Sequence, residues 1–130
     1  MKILVVDDEG IVLNSCRLVL EAEGFEVSAV PTADAALEAL KREHFSLLLI
    51  DVKMPEHDGM YLMRKAKEQW PAIPIIVMSG YHTPETMREA ARLGAATFIA
   101  KPFTPDELLD TVRQVLAREE CHGEKESPSN

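Results

Sequence analysis

The stretch "SLLLID", residues 46–51, decides the fold. Four successive apolar residues, Leu47 to Ile50, show no polar alternation, so both faces of the segment are expected to be buried. That is the pattern of an inner strand of a parallel sheet. The run ends on Asp51, and an ionised carboxylate there is costly unless something balances it. Outward from this point, "KILVVD" (2–7), "FEVSAV" (25–30), "PIIVMS" (74–79) and "ATFIA" (96–100) read as four more strands. Between them, apolar residues at three- and four-residue spacing predict helices over 10–23, 32–43, 58–69, 84–93 and 104–118. Gly24 and Gly94 stand where helices should end, and Thr32, Thr83 and Thr104 where they should begin. The last start is the most complete: Thr104 with Glu107 makes a capping box, Pro105 takes the first helical position, and Phe103 with Leu108 can form a hydrophobic staple.

Strand and helix alternate throughout. The connections are therefore expected to be right-handed crossovers, and the sheet parallel and covered on both faces. The reading is α/β: a doubly wound five-stranded parallel sheet, flavodoxin-like, with helices on both faces. The strand order 2-1-3-4-5 is the natural choice, although pattern alone leaves the order open.

With 130 residues the chain is long enough for one domain with a full core. That domain is read as residues 1–119, with 120–130, "ECHGEKESPSN", a polar tail or the start of a linker. No apolar run approaches the roughly 18 residues of a membrane span, and Lys2 leads directly into a strand rather than a signal sequence. Cys16 and Cys121 have neither metal-ligand nor disulfide-framework spacing, so the expected compartment is the cytoplasm. Fourteen basic against twenty-two acidic residues give a net charge of −8, which argues against this domain gripping a nucleic acid backbone itself.

In open α/β sheets the ligand crevice lies beyond the carboxyl ends of the strands. This chain places Asp7 and Asp8 after strand 1, Asp51 after strand 3, Ser79 after strand 4 and Lys101 after strand 5. Each has an ordinary reading: an acid pair capping the next helix, a serine in a turn, a lysine on the surface. Their shared position and complementary charge favour a common site. Two carboxylates about 4 Å apart repel by about 4 kcal/mol at an effective dielectric near 20, so three cannot all stay ionised unaided. Lys101 offsets one charge, and an all-oxygen donor set suits Mg²⁺, with Mn²⁺ as a substitute, for the rest. A carboxylate between a divalent cation and a lysine can attack a phosphoryl group, and it needs no general base because it is already ionised.

The segments "ILVVDDE" (3–9), "LLLIDVKMPEHDG" (47–59), "IIVMSGY" (75–81) and "LGAATFIAKPF" (93–103), in this order and spacing, resemble the receiver domain of two-component response regulators. The resemblance runs from about Lys2 to Ala117. It implies that Asp51 accepts a phosphoryl group from a phosphohistidine on a sensor histidine kinase, or from a small phosphodonor. The domain would catalyse its own phosphorylation and dephosphorylation as a signalling switch, not as a metabolic enzyme. Asp8, Asp51 and the backbone carbonyl of Lys53 would ligate Mg²⁺ directly, and Asp7 through water. Ser79 and Phe98 would form the switch pair that repacks the face made by the fourth helix, fifth strand and fifth helix. An output domain, a downstream protein or a second copy in a phosphorylation-dependent homodimer would read that face. Neither direct nucleic acid binding nor a membrane is implied. The Lys101–Pro102 bond is expected to be cis, and Lys53 and Tyr81 to shield the phosphoryl group and slow its loss. The alternative is a Mg²⁺-dependent phosphohydrolase with an aspartyl nucleophile, but Lys53 stands where such an enzyme usually carries a second acid. A flavin or nucleotide module is opposed by "DDEGIV" after strand 1, which lacks a glycine-rich phosphate loop.

Overall fold

The computed structural model describes residues 1–52, 59–80 and 84–125, with side chains described up to Arg118. Five strands and five helices alternate: β1 (Lys2–Val6), α1 (Gly10–Ala22), β2 (Glu26–Val30), α2 (Ala33–Arg42), β3 (Leu47–Asp51), α3 (Gly59–Gln69), β4 (Ile75–Ser79), α4 (Pro84–Arg92), β5 (Thr97–Ala100) and α5 (Pro105–Lys125). The strands form one parallel sheet in the order β2-β1-β3-β4-β5. The pairing supplies the order that pattern alone left open.

Every residue of β3 and β4 is buried, as expected for unbroken apolar runs. Strand alternation then sorts the side chains into two cores. Leu4, Val6, Leu48, Ile50, Ile75 and Val77 face α2, α3 and α4 through residues such as Leu40, Leu62, Met63 and Ala90. Ile3, Val5, Leu47, Leu49, Ile76, Met78 and Ile99 face α1 and α5 through Cys16, Leu20, Leu108, Val112 and Val115. At roughly 1.5–3 kcal/mol for each large aliphatic side chain removed from water, these two layers are the main stabilising term.

The helix ends follow the local chemistry. Thr32 Oγ1 accepts the Ala35 N–H at 3.1 Å and caps α2. Thr104 Oγ1 accepts the Glu107 N–H at 3.1 Å while Glu107 Oε1 accepts the Thr104 N–H at 2.8 Å, closing a reciprocal capping box. Phe103 packs into the core that contains Leu108. Gly24 and Gly94 adopt φ of 93° and 100°, the left-handed conformation that terminates α1 and α4 without a Cβ clash. Thr83, the expected cap of α4, lies outside the described residues.

One boundary differs from expectation. Helix α5 does not stop near Arg118 but continues to Lys125, into the segment read as a polar tail. Ala117, Arg118, Glu119 and Glu120 are all good helix formers, so the absence of an apolar period does not by itself end the helix. Arg113 of α5 forms an ion pair with Glu23 at the end of α1, tying together the two helices of one face. Among the described residues no helix is long and apolar enough to cross a membrane.

Candidate functional site

The backbone positions of the site residues are set by hydrogen bonds that carry the sheet ladder past the strand ends. The Asp7 N–H donates to the Val30 carbonyl at 3.2 Å, the Val52 N–H to Met78 at 3.2 Å, and the Lys101 N–H to Ser79 at 2.9 Å. Asp7 follows Ile3 and Val5 in strand alternation, Asp51 follows Leu47 and Leu49, and Lys101 follows Ile99. All three therefore continue the α1/α5 side of the sheet, which lets one lysine reach both acids. Gly59 closes the floor. A Cβ there would lie 2.4 Å from the Asp51 carbonyl oxygen and 2.6 Å from Val52 Cα, so only glycine lets the start of α3 approach β3 this closely.

Lys101 Nζ lies 2.7 Å from Asp7 Oδ2, 3.1 Å from Asp51 Oδ2 and 3.1 Å from Glu9 Oε1. The approach to Asp7 Oδ2 is an ion pair that misses hydrogen-bond geometry, so this fully buried oxygen has no other partner among the described residues. Asp7 Oδ1 accepts the Glu9 N–H at 2.9 Å. Burial pushes the Asp7 carboxyl up from 3.8 to about 6, helped by the neighbouring Asp51 charge and opposed by Lys101 and the Glu9 N–H. Burial works against the Lys101 ammonium, but Asp7, Glu9 and Asp51 outweigh it and hold the lysine above its usual range. Cys16, beneath this cluster on α1, has its thiol pushed up to about 11 by burial and then by Asp7, so it remains a protonated core residue.

Asp7, Asp8 and Asp51 each offer a carboxylate oxygen, and the three lie within 4.8 Å of one another. An octahedral Mg²⁺ with bonds of about 2.0–2.1 Å separates its ligand oxygens by at most about 4.2 Å, so small side-chain rotations suffice. The under-partnered Asp7 oxygen and the excess of acid over base fit the same ion. The cluster can hold a divalent metal.

The acid pair is not a helix cap. The N-cap of α1 is Glu9, which makes no side-chain capping bond, and the first turn of α1 carries no acid. Ser79 ends β4 buried beside this edge, and its carbonyl holds the Lys101 backbone. Phe98 is half-buried, registers with Val77 and packs on the α2–α4 side, the side that Ser79 also continues. It lines a surface recess of about 310 Å³ with Asp110 and Thr111 of α5. Lys101–Pro102 is cis, as expected. The Lys53 carbonyl and the Tyr81 side chain lie outside the described residues. Sequence reasoning gave no role to Glu9; its only signal was a third acid directly after the pair in "VVDDEG".

A family model described as the response regulator receiver domain matches residues 3–113. The response regulator protein FleR of Pseudomonas aeruginosa is 39% identical over 111 residues, covering 85% of this chain and 24% of FleR. The transcriptional regulatory protein BasR of Escherichia coli K12 is 29% identical over 126 residues, covering 97% of this chain and 57% of BasR. The chain thus spans between a quarter and three-fifths of the length of these curated relatives. A crystal structure of a CheY-like receiver domain protein from Methanospirillum hungatei JF-1 superposes with a TM-score of 0.90 at 35% identity, covering 93% of this chain and 97% of that one.

Proposed function

The chain belongs to the response regulator receiver family, and from that premise we propose that it is a phosphorylation-dependent switch whose acceptor is Asp51. The observation that carries this reading is a carboxylate at the end of a fully buried strand, 3.1 Å from a lysine and beside two further acids. In the proposed reaction an Asp51 carboxylate oxygen forms a bond to phosphorus. The phosphorus–nitrogen bond of a sensor kinase phosphohistidine breaks, and its electron pair leaves on the imidazole. With a small acyl phosphate the phosphorus–oxygen bond breaks instead, and the carboxylate of the donor departs.

Asp8 and Asp51, with the Lys53 carbonyl, would hold Mg²⁺ directly, and Asp7 through water. When bound, the ion supplies charge neutralisation for the phosphoryl oxygens. Lys101 donates to a phosphoryl oxygen in the product, and the Ser79 hydroxyl to another. Ser79 moving toward the new anion vacates space on the α2–α4 side, and Phe98, on that same side, turns inward to fill it. The recess beside Asp110 and Thr111 changes shape as it does so. That change on the α4–β5–α5 face is what an output domain, a downstream protein or a second copy would read. The domain would also catalyse loss of its own phosphoryl group, with Lys53 and Tyr81 setting the rate. The cytoplasm, where a kinase phosphohistidine is presented, is the proposed compartment.

The test is incubation with acetyl phosphate and Mg²⁺, read by intact mass. A phosphate-sized adduct is expected on the wild type and none on Asp51→Asn. Labelling of that variant at the wild-type rate would rule out Asp51 as the acceptor.

A further inference from the structure

An ammonium has three N–H donors, and Lys101 faces three carboxylates: Asp7 at 2.7 Å, Asp51 at 3.1 Å and Glu9 at 3.1 Å. Two of its donors are engaged by hydrogen bonds to Asp51 and Glu9, and the ammonium is ion-paired to Asp7, before any phosphoryl group arrives. A phosphoryl oxygen approaching this lysine therefore competes with these acids for it. The Asp7 side chain is fully buried and lies nearest, so it would be the most costly to abandon. Asp51 carries the incoming group and keeps the lysine beside it. The Glu9 side chain is 62% exposed, and water can replace its ion pair at little cost.

We propose that Glu9 is a positioning residue that competes with the phosphoryl group for Lys101, and that phosphorylation proceeds as Glu9 yields the N–H it holds. The inference rests on Asp51 being the acceptor. The local backbone suits this role. Glu9 is the N-cap of α1 in extended conformation, its N–H holds Asp7 Oδ1 at 2.9 Å, and its carbonyl accepts the Leu13 N–H at 3.1 Å. Its main chain is therefore fixed on both sides while its carboxylate reaches out at the exposed lip. The Glu9 side chain can leave Lys101 without disturbing the helix start or the buried acid.

The experiment compares wild type with Glu9→Gln, Glu9→Asp and the control Glu21→Gln, an exposed acid at the far end of α1. Each is labelled with acetyl phosphate and Mg²⁺ and followed by intact mass. Removing an exposed ion-pair competitor should speed labelling about two- to fivefold. Glu9→Gln and Glu9→Asp should both show this, because the shorter aspartate keeps the charge but loses the reach, and Glu21→Gln should match the wild type. Unchanged or slower labelling of Glu9→Gln overturns the proposal. So does wild-type behaviour of Glu9→Asp, which would assign Glu9 a through-space charge effect only. A second readout needs no phosphodonor: the side-chain NMR resonances of Lys101 should move in Glu9→Gln and stay in place in Glu21→Gln. Unmoved resonances overturn the proposal even if the wild type takes no phosphate, a result that would separately sink Asp51 as acceptor.

Discussion

Asp7→Asn should stabilise the metal-free protein at neutral pH, and the gain should vanish in acid. Asp7 is fully buried and its carboxyl is pushed from 3.8 to about 6, chiefly by burial. Between those two values the folded protein keeps a proton that the unfolded chain has released, so stability falls as pH rises. The contribution is complete below 3.8, is lost as pH passes through about 6, and is absent above. The difference between 3.8 and about 6 corresponds to about 3 kcal/mol, or roughly 10 °C in melting temperature for a domain of this size. Asparagine imitates the protonated acid and can still accept the Glu9 N–H. Urea unfolding of wild type and variant in EDTA, from pH 4 to 8, measures the difference. The curves should coincide near pH 4 and separate above pH 6 with the variant more stable. Saturating Mg²⁺ should reverse the order, because the ionised acid then gains a partner. A difference that stays flat with pH, or a variant less stable at pH 7.5 in EDTA, would refute the reasoning.

Lys101→Ala removes the cation facing Asp7, Asp51 and Glu9; a loss on the order of 3 kcal/mol is expected in EDTA, partly restored by Mg²⁺, as read by urea midpoints. Gly59→Ala forces a Cβ to within 2.4 Å of the Asp51 carbonyl oxygen, so α3 must shift away from β3. It should cost about 1–3 kcal/mol and slow acetyl phosphate labelling, with unchanged melting counting against the close approach. Mg²⁺ at about 100 times its Kd should raise stability by about 2.7 kcal/mol, and Asp8→Ala should blunt that rise in a melting series.

The inner strands were legible because burial on both faces leaves no room for polar residues, and "LLLI" and "IIVM" have no other comfortable environment. The caps at Thr32 and Thr104 were legible because capping is local chemistry, settled within four residues. Strand order was not, since it depends on which edges meet and not on any one segment. The length of α5 was less legible. The loss of apolar periodicity after Arg118 and the polar, turn-forming residues from Glu120 on suggest a tail or the start of a linker, whereas the helix runs to Lys125. The grouping of Asp7, Asp8, Asp51 and Lys101 followed once the sheet was assumed, since each sits one step from a strand end. Glu9 was missed because nothing local separates a glutamate that pairs with Lys101 from one that simply faces water. Its partner is 92 residues away in sequence.

Lys101 is joined to the capping box of α5 by Pro102 and Phe103 alone, and Phe103 is seated among the side chains between α1 and α5. Such a tether has almost no slack. Any displacement of the ammonium that drags its main chain must either break the hydrogen bond to Ser79 or tug the opening turn of the last helix. The charge balance at the sheet's rim and the stance of the last helix are thus mechanically geared.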